Sequence, residues 1–107
     1  MGIDCSVTEI QERDTAILRV QGALDFDERK RFEGAVQELF SSRAKRLIID
    51  MSKITRMSSV YIGTLVERGH ALQTEGRKLS VSVPKQVGRI CRESGLDKVT
   101  NLIVSDK

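Results

Sequence analysis

A short apolar run, a polar segment and a helical pattern follow one another in the middle of the chain. The run Leu47–Ile49 is typical of a central strand that is covered on both faces, and we expect this strand to span Lys45–Met51. The serine pair Ser58 and Ser59 then precedes apolar residues at helical spacing. We therefore predict a strand, a polar connection, and a helix that begins at one of these serines and continues to about Gln73.

Apolar periodicity predicts the remaining elements around this unit. Two segments of alternating polarity predict an N-terminal hairpin that ends at Gly22, and Ala16, Leu18 and Val20 point inward in its second strand. We expect Asp25 or Asp27 to cap the first helix. The expected strands span Cys5–Ile10, Thr15–Gln21 and Leu79–Val83, and a short helix or strand is expected within Leu96–Val104.

Three helices are expected from their apolar faces. The first has the face Phe32, Ala35, Val36, Leu39 and Phe40, and the second has the face Ile62, Leu65, Val66, Gly69 and Leu72. The third begins at Pro84 and has Val87, Ile90 and Cys91 inward.

This order of elements predicts an α/β fold. Strands that alternate with helices imply a mixed, mostly parallel β-sheet packed against α-helices, with the hairpin at its N-terminal edge. The length of 107 residues suits one domain that occupies positions 1–107.

Composition excludes several classes of protein. No apolar run approaches the roughly 18 residues of a membrane helix, so we expect no membrane insertion. The cysteines Cys5 and Cys91 match no metal or redox spacing and are interpreted as small buried hydrophobes in a reducing compartment, which predicts a cytoplasmic location. The net charge is +3, but the clusters Arg29–Arg31 and Arg43–Arg46 lack interleaved aromatic residues. They are interpreted as solvated faces, with no direct binding of nucleic acid.

Motifs for catalysis are missing from the sequence. The chain has one histidine, His70, in the middle of a predicted helix, and it has no G-x-S-x-G elbow and no glycine-rich phosphate loop. No set of His, Cys or carboxylate residues has the spacing of metal ligands. We therefore expect a binding or regulatory domain rather than an enzyme, with no cofactor and no metal.

The serines at the start of the predicted second helix suit two uses. A helix start presents unpaired backbone N–H groups and the positive end of the helix dipole. Ser59 can cap that helix start, which would stabilise it by about 1 kcal/mol. It can also carry a phosphate, because this end of a helix favours anions. The two interpretations are compatible, and the residues alone do not choose between them.

Three segments carry a resemblance that covers nearly the whole chain. They are Gly22–Asp25 before the first helix, Leu47–Met51 followed by the pair Ser58 and Ser59, and Ser94–Val99 after the third helix. In this order and spacing, the chain resembles the STAS domain family, specifically the small stand-alone bacterial anti-sigma factor antagonists. The resemblance implies a STAS-like fold.

The family carries an Asp-Ser-Ser/Thr-Gly-Leu pattern whose first serine is phosphorylated. On this chain the aspartate of the pattern falls on Ser58, the phosphorylated serine on Ser59, the glycine on Tyr61 and the leucine on Ile62. Asp25 matches an acidic residue that lies beside the site in the family. The resemblance thus implies phosphorylation at Ser59, with Ser58 as the second choice, and a partner-binding surface formed by all five residues. Tyr61 would be an exposed anchor, or a ring packed on the surface of its own protein.

The resemblance also implies a function and partners. The protein would bind an anti-sigma factor that is a serine kinase, release its sigma factor for transcription, and be switched off by phosphorylation, with a phosphatase as a further partner. We expect a monomer or weak dimer. Arg56 would steer a phosphate or an acidic partner, or would be an ordinary solvated residue. The missing aspartate and glycine leave as an alternative a scaffold or subunit of a stressosome or of a lipid-transport ABC complex that is not phosphorylated. A third possibility is that a small ligand binds in the groove near Asp25 and Ser59.

Overall fold

The computed structural model describes residues 3–105, except for the side chain of Phe26. The strands are β1 (Asp4–Ile10), β2 (Thr15–Leu24), β3 (Arg46–Met57), β4 (Lys78–Val83) and β5 (Asn101–Val104). The helices are α1 (Arg29–Phe40), α2 (Ser59–Thr74), α3 (Lys85–Glu93) and α4 (Leu96–Val99), and short 3-10 turns cover Gln11–Arg13 and Phe26–Glu28.

The five strands form one sheet in the order β1-β2-β3-β4-β5. β1 pairs antiparallel with β2, and the other neighbouring pairs are parallel. The turn of the hairpin needs a left-handed residue, which is Asp14 with φ 51°. The prediction of an α/β fold with a mixed, mostly parallel sheet and an N-terminal hairpin is confirmed.

The core lies on one face of the sheet. Buried residues of the central strands alternate with exposed or half-buried ones, and they share a single cluster with the buried residues of the helices. Leu47 and Ile49 are buried on this face, whereas Ile48 points to the other face and is only half-buried. The expectation that both faces of this strand are covered is wrong, because side chains alternate along a strand and the helices pack on one side only.

Two strands are longer than the sequence pattern predicts. β2 continues beyond Gly22 to Leu24, and β3 continues beyond Met51 to Met57, so the predicted polar connection is part of a strand. The far half of β3 pairs only with β2, because its pairing with β4 stops at Asp50. Strand segments at an open edge of a sheet often carry polar side chains, so the sequence pattern of this half of β3 resembles that of a loop.

The helix faces follow the predicted periodicity with one exception. The predicted inward residues of α1 and α2 are buried or half-buried, and Pro84 is the N-cap residue of α3. In α3 the buried residues are Val87, Gly88 and Cys91, whereas Ile90 is 39% exposed, so its predicted inward position is wrong. Burial raises the pKa of the Cys91 thiol to about 11. Within residues 3–105, no helix is long and apolar enough to cross a bilayer.

Candidate functional site

The site is built where β2 and β3 end side by side. Leu24 and Met57 are paired in the parallel ladder, and the backbone N–H of Ser58 donates to the carbonyl of Leu24 at 3.0 Å. This bond satisfies one of the N–H groups at the start of α2. It also places Asp25, the next residue after β2, beside the beginning of that helix.

Asp25 and Arg56 form a two-pronged ion pair at this edge. Nε of Arg56 donates to Oδ1 of Asp25 at 2.7 Å, and Nη2 donates to Oδ2 at 2.8 Å. Both side chains are largely exposed. The paired geometry is the strong form of a carboxylate–guanidinium contact. The hydrogen bond from Arg56 holds the pKa of Asp25 below its ordinary value of 3.8, and the same bond raises the pKa of Arg56.

This ion pair corrects the prediction that Asp25 caps the first helix. The carboxylate of Asp25 does not cap the first helix; only its backbone carbonyl contributes locally, by accepting from the N–H of Glu28 at 3.1 Å. The N-cap residue of α1 is Glu28, and its side chain makes no capping bond, so Asp27 is not the cap either. Arg56 is a solvated arginine, with its side chain 69% exposed, and it also binds a carboxylate 31 residues away in sequence.

The titration of Asp25 should report this pair. In wild type the carboxyl should titrate below 3.8, because the charged form accepts both bonds from Arg56. The ion pair therefore stabilises the fold fully at pH values above the pKa of Asp25 in the unfolded chain. This stabilisation is lost as the pH falls through the lower pKa of Asp25 in the folded protein. NMR titration of the Asp25 carboxyl carbon measures this value. The Arg56→Gln variant should return it toward 3.8, and equal pKa values in the two proteins would contradict the pairing.

Tyr61 lies under this surface rather than on it. Its side chain is 1% exposed, its hydroxyl donates to the carbonyl of Asp25, and its ring meets the ring of Phe32 edge-on with centroids 5.1 Å apart. Burial raises the pKa of the Tyr61 hydroxyl. Ile62 is also 1% exposed. The prediction that these two residues are exposed anchors for a partner is wrong, because helical spacing places Tyr61 four residues before the buried Leu65 on the same face.

Ser58 and Ser59 occupy different positions at the helix start. Ser58 is the N-cap residue, with extended backbone and a half-buried side chain that makes no capping bond. Ser59 is the first residue of α2 and is exposed, and within residues 3–105 its hydroxyl makes no hydrogen bond. The interpretation of Ser59 as the helix cap is therefore wrong. The N–H of Tyr61 donates to the carbonyl of Ser58 at 3.1 Å. Among the described residues, the N–H groups of Ser59 and Val60 have no backbone acceptor, as is usual in the first turn of a helix.

The surface thus combines a free hydroxyl, two open backbone donors and a fixed ion pair. The structure brings Asp25, Ser58 and Ser59 together as predicted neighbours and adds Arg56 as the partner of Asp25. The ion pair was missed because it depends on the long ladder between β2 and β3. Within residues 3–105, no group of three or more His, Cys, Asp or Glu side chains is arranged to hold a metal ion.

Comparison with known proteins identifies the family. The family model described as "Mlab, STAS domain" matches residues 7–104, and the chain therefore belongs to the STAS domain family. An anti-sigma factor antagonist from Mycobacterium paratuberculosis superposes with a TM-score of 0.80 at 21% identity, over 95% of this chain and 86% of that one. The anti-sigma factor antagonist SpoIIAA in its unphosphorylated form superposes with a TM-score of 0.72 at 18% identity, over 97% and 90%. These likenesses establish the fold.

Proposed function

We propose that this chain is an anti-sigma factor antagonist that binds an anti-sigma factor kinase and is switched off by phosphorylation of Ser59. The observation that supports this most directly is the exposed, unbonded hydroxyl of Ser59 at the first position of α2. The names of the two similar structures support the partner class. In this proposal the protein acts by binding rather than catalysis, as a single cytoplasmic domain that is a monomer or weak dimer.

The unphosphorylated surface is suited to a protein partner. Asp25 is held by two bonds from Arg56, and its backbone carbonyl is held by the buried Tyr61 hydroxyl. A surface that is already ordered loses less entropy on binding than a mobile loop does. In this proposal the anti-sigma factor contacts Asp25, Ser58 and Ser59, while Tyr61 and Ile62 support that surface from below.

Phosphorylation would change the partner surface more than the fold. A phosphate on Ser59 adds nearly two negative charges at a helix start, where the open N–H groups of Ser59 and Val60 accommodate an anion. The bound partner would then face this added charge, because the Arg56 guanidinium is already engaged by the Asp25 carboxylate. A loss of about 3 kcal/mol at such an interface weakens binding on the order of a hundredfold.

The modified residue can be identified by intact mass. Incubation with ATP and each candidate anti-sigma factor kinase of the host should add one phosphate to wild type and none to Ser59→Ala. Ser58→Ala is the matched control, because that neighbouring side chain is half-buried and should not be the acceptor. No phosphate on wild type with any such kinase, or equal phosphate on Ser59→Ala, would rule out the switch at this residue.

A second candidate function is a scaffold or subunit of a stressosome or of a lipid-transport ABC complex. One observation favours it: Ser58 and Tyr61 stand where the phosphorylated pattern has its aspartate and glycine. In that role α2 would dock permanently. Co-purification of the tagged protein from its host distinguishes the two candidate functions. A stable large assembly that the Ser59→Glu variant still forms supports the role as a subunit. Nucleotide-dependent capture of a small kinase supports the phosphorylation switch.

A further inference from the structure

The positive charge of the molecule is concentrated at one end of the sheet. The parallel strands β2, β3 and β4 begin in register at Thr15, Arg46 and Lys78. The connections that lead into them, taken together with the first residues of β3 and β4, are residues 11–14, 41–46 and 75–78, and we call these segments the basic end. The basic end holds six of the eighteen Lys and Arg residues and three of the fifteen Asp and Glu residues. The remainder of the chain carries twelve of each and is formally neutral, so the basic end accounts for the whole net charge of +3.

Most of these cations have no ion-pair partner. Within residues 3–105, five cations of the basic end are exposed and form no salt bridge with a carboxylate: Arg13, Arg43, Lys45, Arg46 and Lys78. Arg46 and Lys78 are also paired residues of the neighbouring parallel strands β3 and β4, whose backbones lie about 5 Å apart. Like charges placed directly opposite each other in a sheet are destabilising. Within residues 3–105, neither member of this like-charged pair forms a salt bridge with a carboxylate.

The sixth cation holds the basic end in shape. Arg77 donates from Nη2 to the carbonyls of Ser42 at 2.7 Å and Ala44 at 2.8 Å, and from Nε to Ala44 at 3.2 Å. The N–H of Ala44 donates to the Ser42 hydroxyl, and the N–H of Arg46 donates to the carbonyl of Asp14. The connection between α1 and β3 is therefore fixed, and its cations are presented on an ordered backbone. Such preorganisation lowers the entropic cost of binding.

Two crevices flank the row of cations. One is lined by residues including Gln11, Thr15 and Arg43, and the other, of about 350 Å³, is lined by residues including Lys78, Ser80 and Asn101. Both offer hydroxyl, amide and backbone groups next to the cations. The first crevice is also lined by the carboxylates of Glu9 and Asp14, whereas the lining of the second includes no acidic residue, so the second suits an acidic segment better. Such crevices suit the side chains of a polypeptide better than the plane of a lipid surface. The basic end also offers no aromatic side chain on which nucleic-acid bases could stack.

From these observations we infer that the basic end is a second protein-binding surface, which takes an acidic segment of a partner protein. It lies at the opposite end of β3 from Ser59, since that strand runs from Arg46 to Met57. Binding there leaves the surface around Asp25 and Ser59 free, so two partners can be held at once. The inference does not depend on phosphorylation of Ser59.

The test uses the whole chain labelled with ¹⁵N and a synthetic peptide of alternating glutamate and serine. We expect amide shifts confined to the basic end and its crevices, with binding that weakens as salt is raised from about 50 to 300 mM. The double variant Arg46→Glu/Lys78→Glu should bind roughly tenfold more weakly or worse, because two surface ion pairs are lost and repulsion is added. Its amide spectrum should otherwise stay native, because both side chains are exposed.

The matched control is Lys30→Glu/Lys85→Glu, which changes the net charge equally at exposed positions outside the basic end. This control should change the affinity less than twofold. Equal weakening by both double variants would overturn the inference, as would peptide shifts outside the basic end or no shifts at millimolar peptide. Tighter binding of phosphatidylglycerol vesicles or duplex DNA than of the peptide at this end would also overturn it.

Discussion

Replacing Tyr61 with alanine is expected to destabilise the protein by about 3–5 kcal/mol, the usual cost of deleting a large buried ring. The side chain is 1% exposed, packs edge-on against Phe32, and ties the carbonyl of Asp25 to the start of α2. For a domain of this size such a loss lowers Tm by roughly 12 °C or more. Urea denaturation and calorimetry measure both quantities. A variant within about 1 kcal/mol of wild type would contradict the buried position.

The matched variant is Tyr61→Phe, which keeps the ring and removes only the hydroxyl. It should cost about 1 kcal/mol, because one hydrogen bond to Asp25 is lost and the packing against Phe32 is retained. Under the proposed function this variant should also weaken partner binding modestly, because the segment at Asp25 loses its internal tether. An equal loss of stability in both Tyr61 variants would place the energy in the hydroxyl rather than in the ring.

Replacing Gly69 with alanine is expected to cost about 2 kcal/mol, although alanine is normally the better helix former. A Cβ at this position of α2 would lie 2.8 Å from Cγ2 of Thr100 and 2.9 Å from the carbonyl oxygen of Val99. That oxygen belongs to the backbone at the end of α4 and cannot rotate away. The new methyl group would therefore push α4 off α2. The free energy of unfolding in urea measures the cost.

Gly63→Ala is the control for this experiment, because it lies in the same helix with nothing within 4 Å of the added Cβ. Here the intrinsic preference for alanine should dominate and stabilise the protein by roughly 0.5–1 kcal/mol. The two substitutions are chemically identical, so their difference of about 3 kcal/mol isolates the contact with α4. A Gly69→Ala variant as stable as Gly63→Ala would mean that the helices do not pack this closely.

The sequence predicts secondary structure and burial for segments with a regular apolar period, and it does not do so for segments without one. Leu18, Leu65 and Val81 lie in alternating or helical patterns and are buried as predicted. The segment from Ser52 to Met57 was assigned to a connection because its pattern is polar. It is nevertheless a strand, since hydrogen bonds to β2 need no apolar side chains. Backbone pairing between strands therefore cannot be predicted from amino-acid composition alone in a polar segment.

The candidate site was predicted in part. Ser59 lies at the helix start and is exposed, as the pattern indicates, and the bond between Ser58 and Leu24 brings the segment at Asp25 to that helix start. The resemblance leaves two interpretations of Tyr61, an exposed anchor of the kind enriched at binding hot spots or a ring packed on its own protein, and its burial excludes the first. Its spacing from Leu65 already indicated the buried face of α2. Arg56 could not be paired with Asp25 from the sequence, because the two residues lie 31 positions apart.

The amino-acid pattern alone predicts the order of helices and strands, most of their inward faces and the membership of the STAS family. These properties follow from local periodicity and from short motifs, which each segment carries on its own. The pairing of Arg56 with Asp25, the bond from the Tyr61 hydroxyl to the Asp25 carbonyl and the gathering of the excess cations at the opposite end become visible only in the folded chain. Those arrangements depend on the register between strands that are distant in the chain, and register is a property of the assembled sheet.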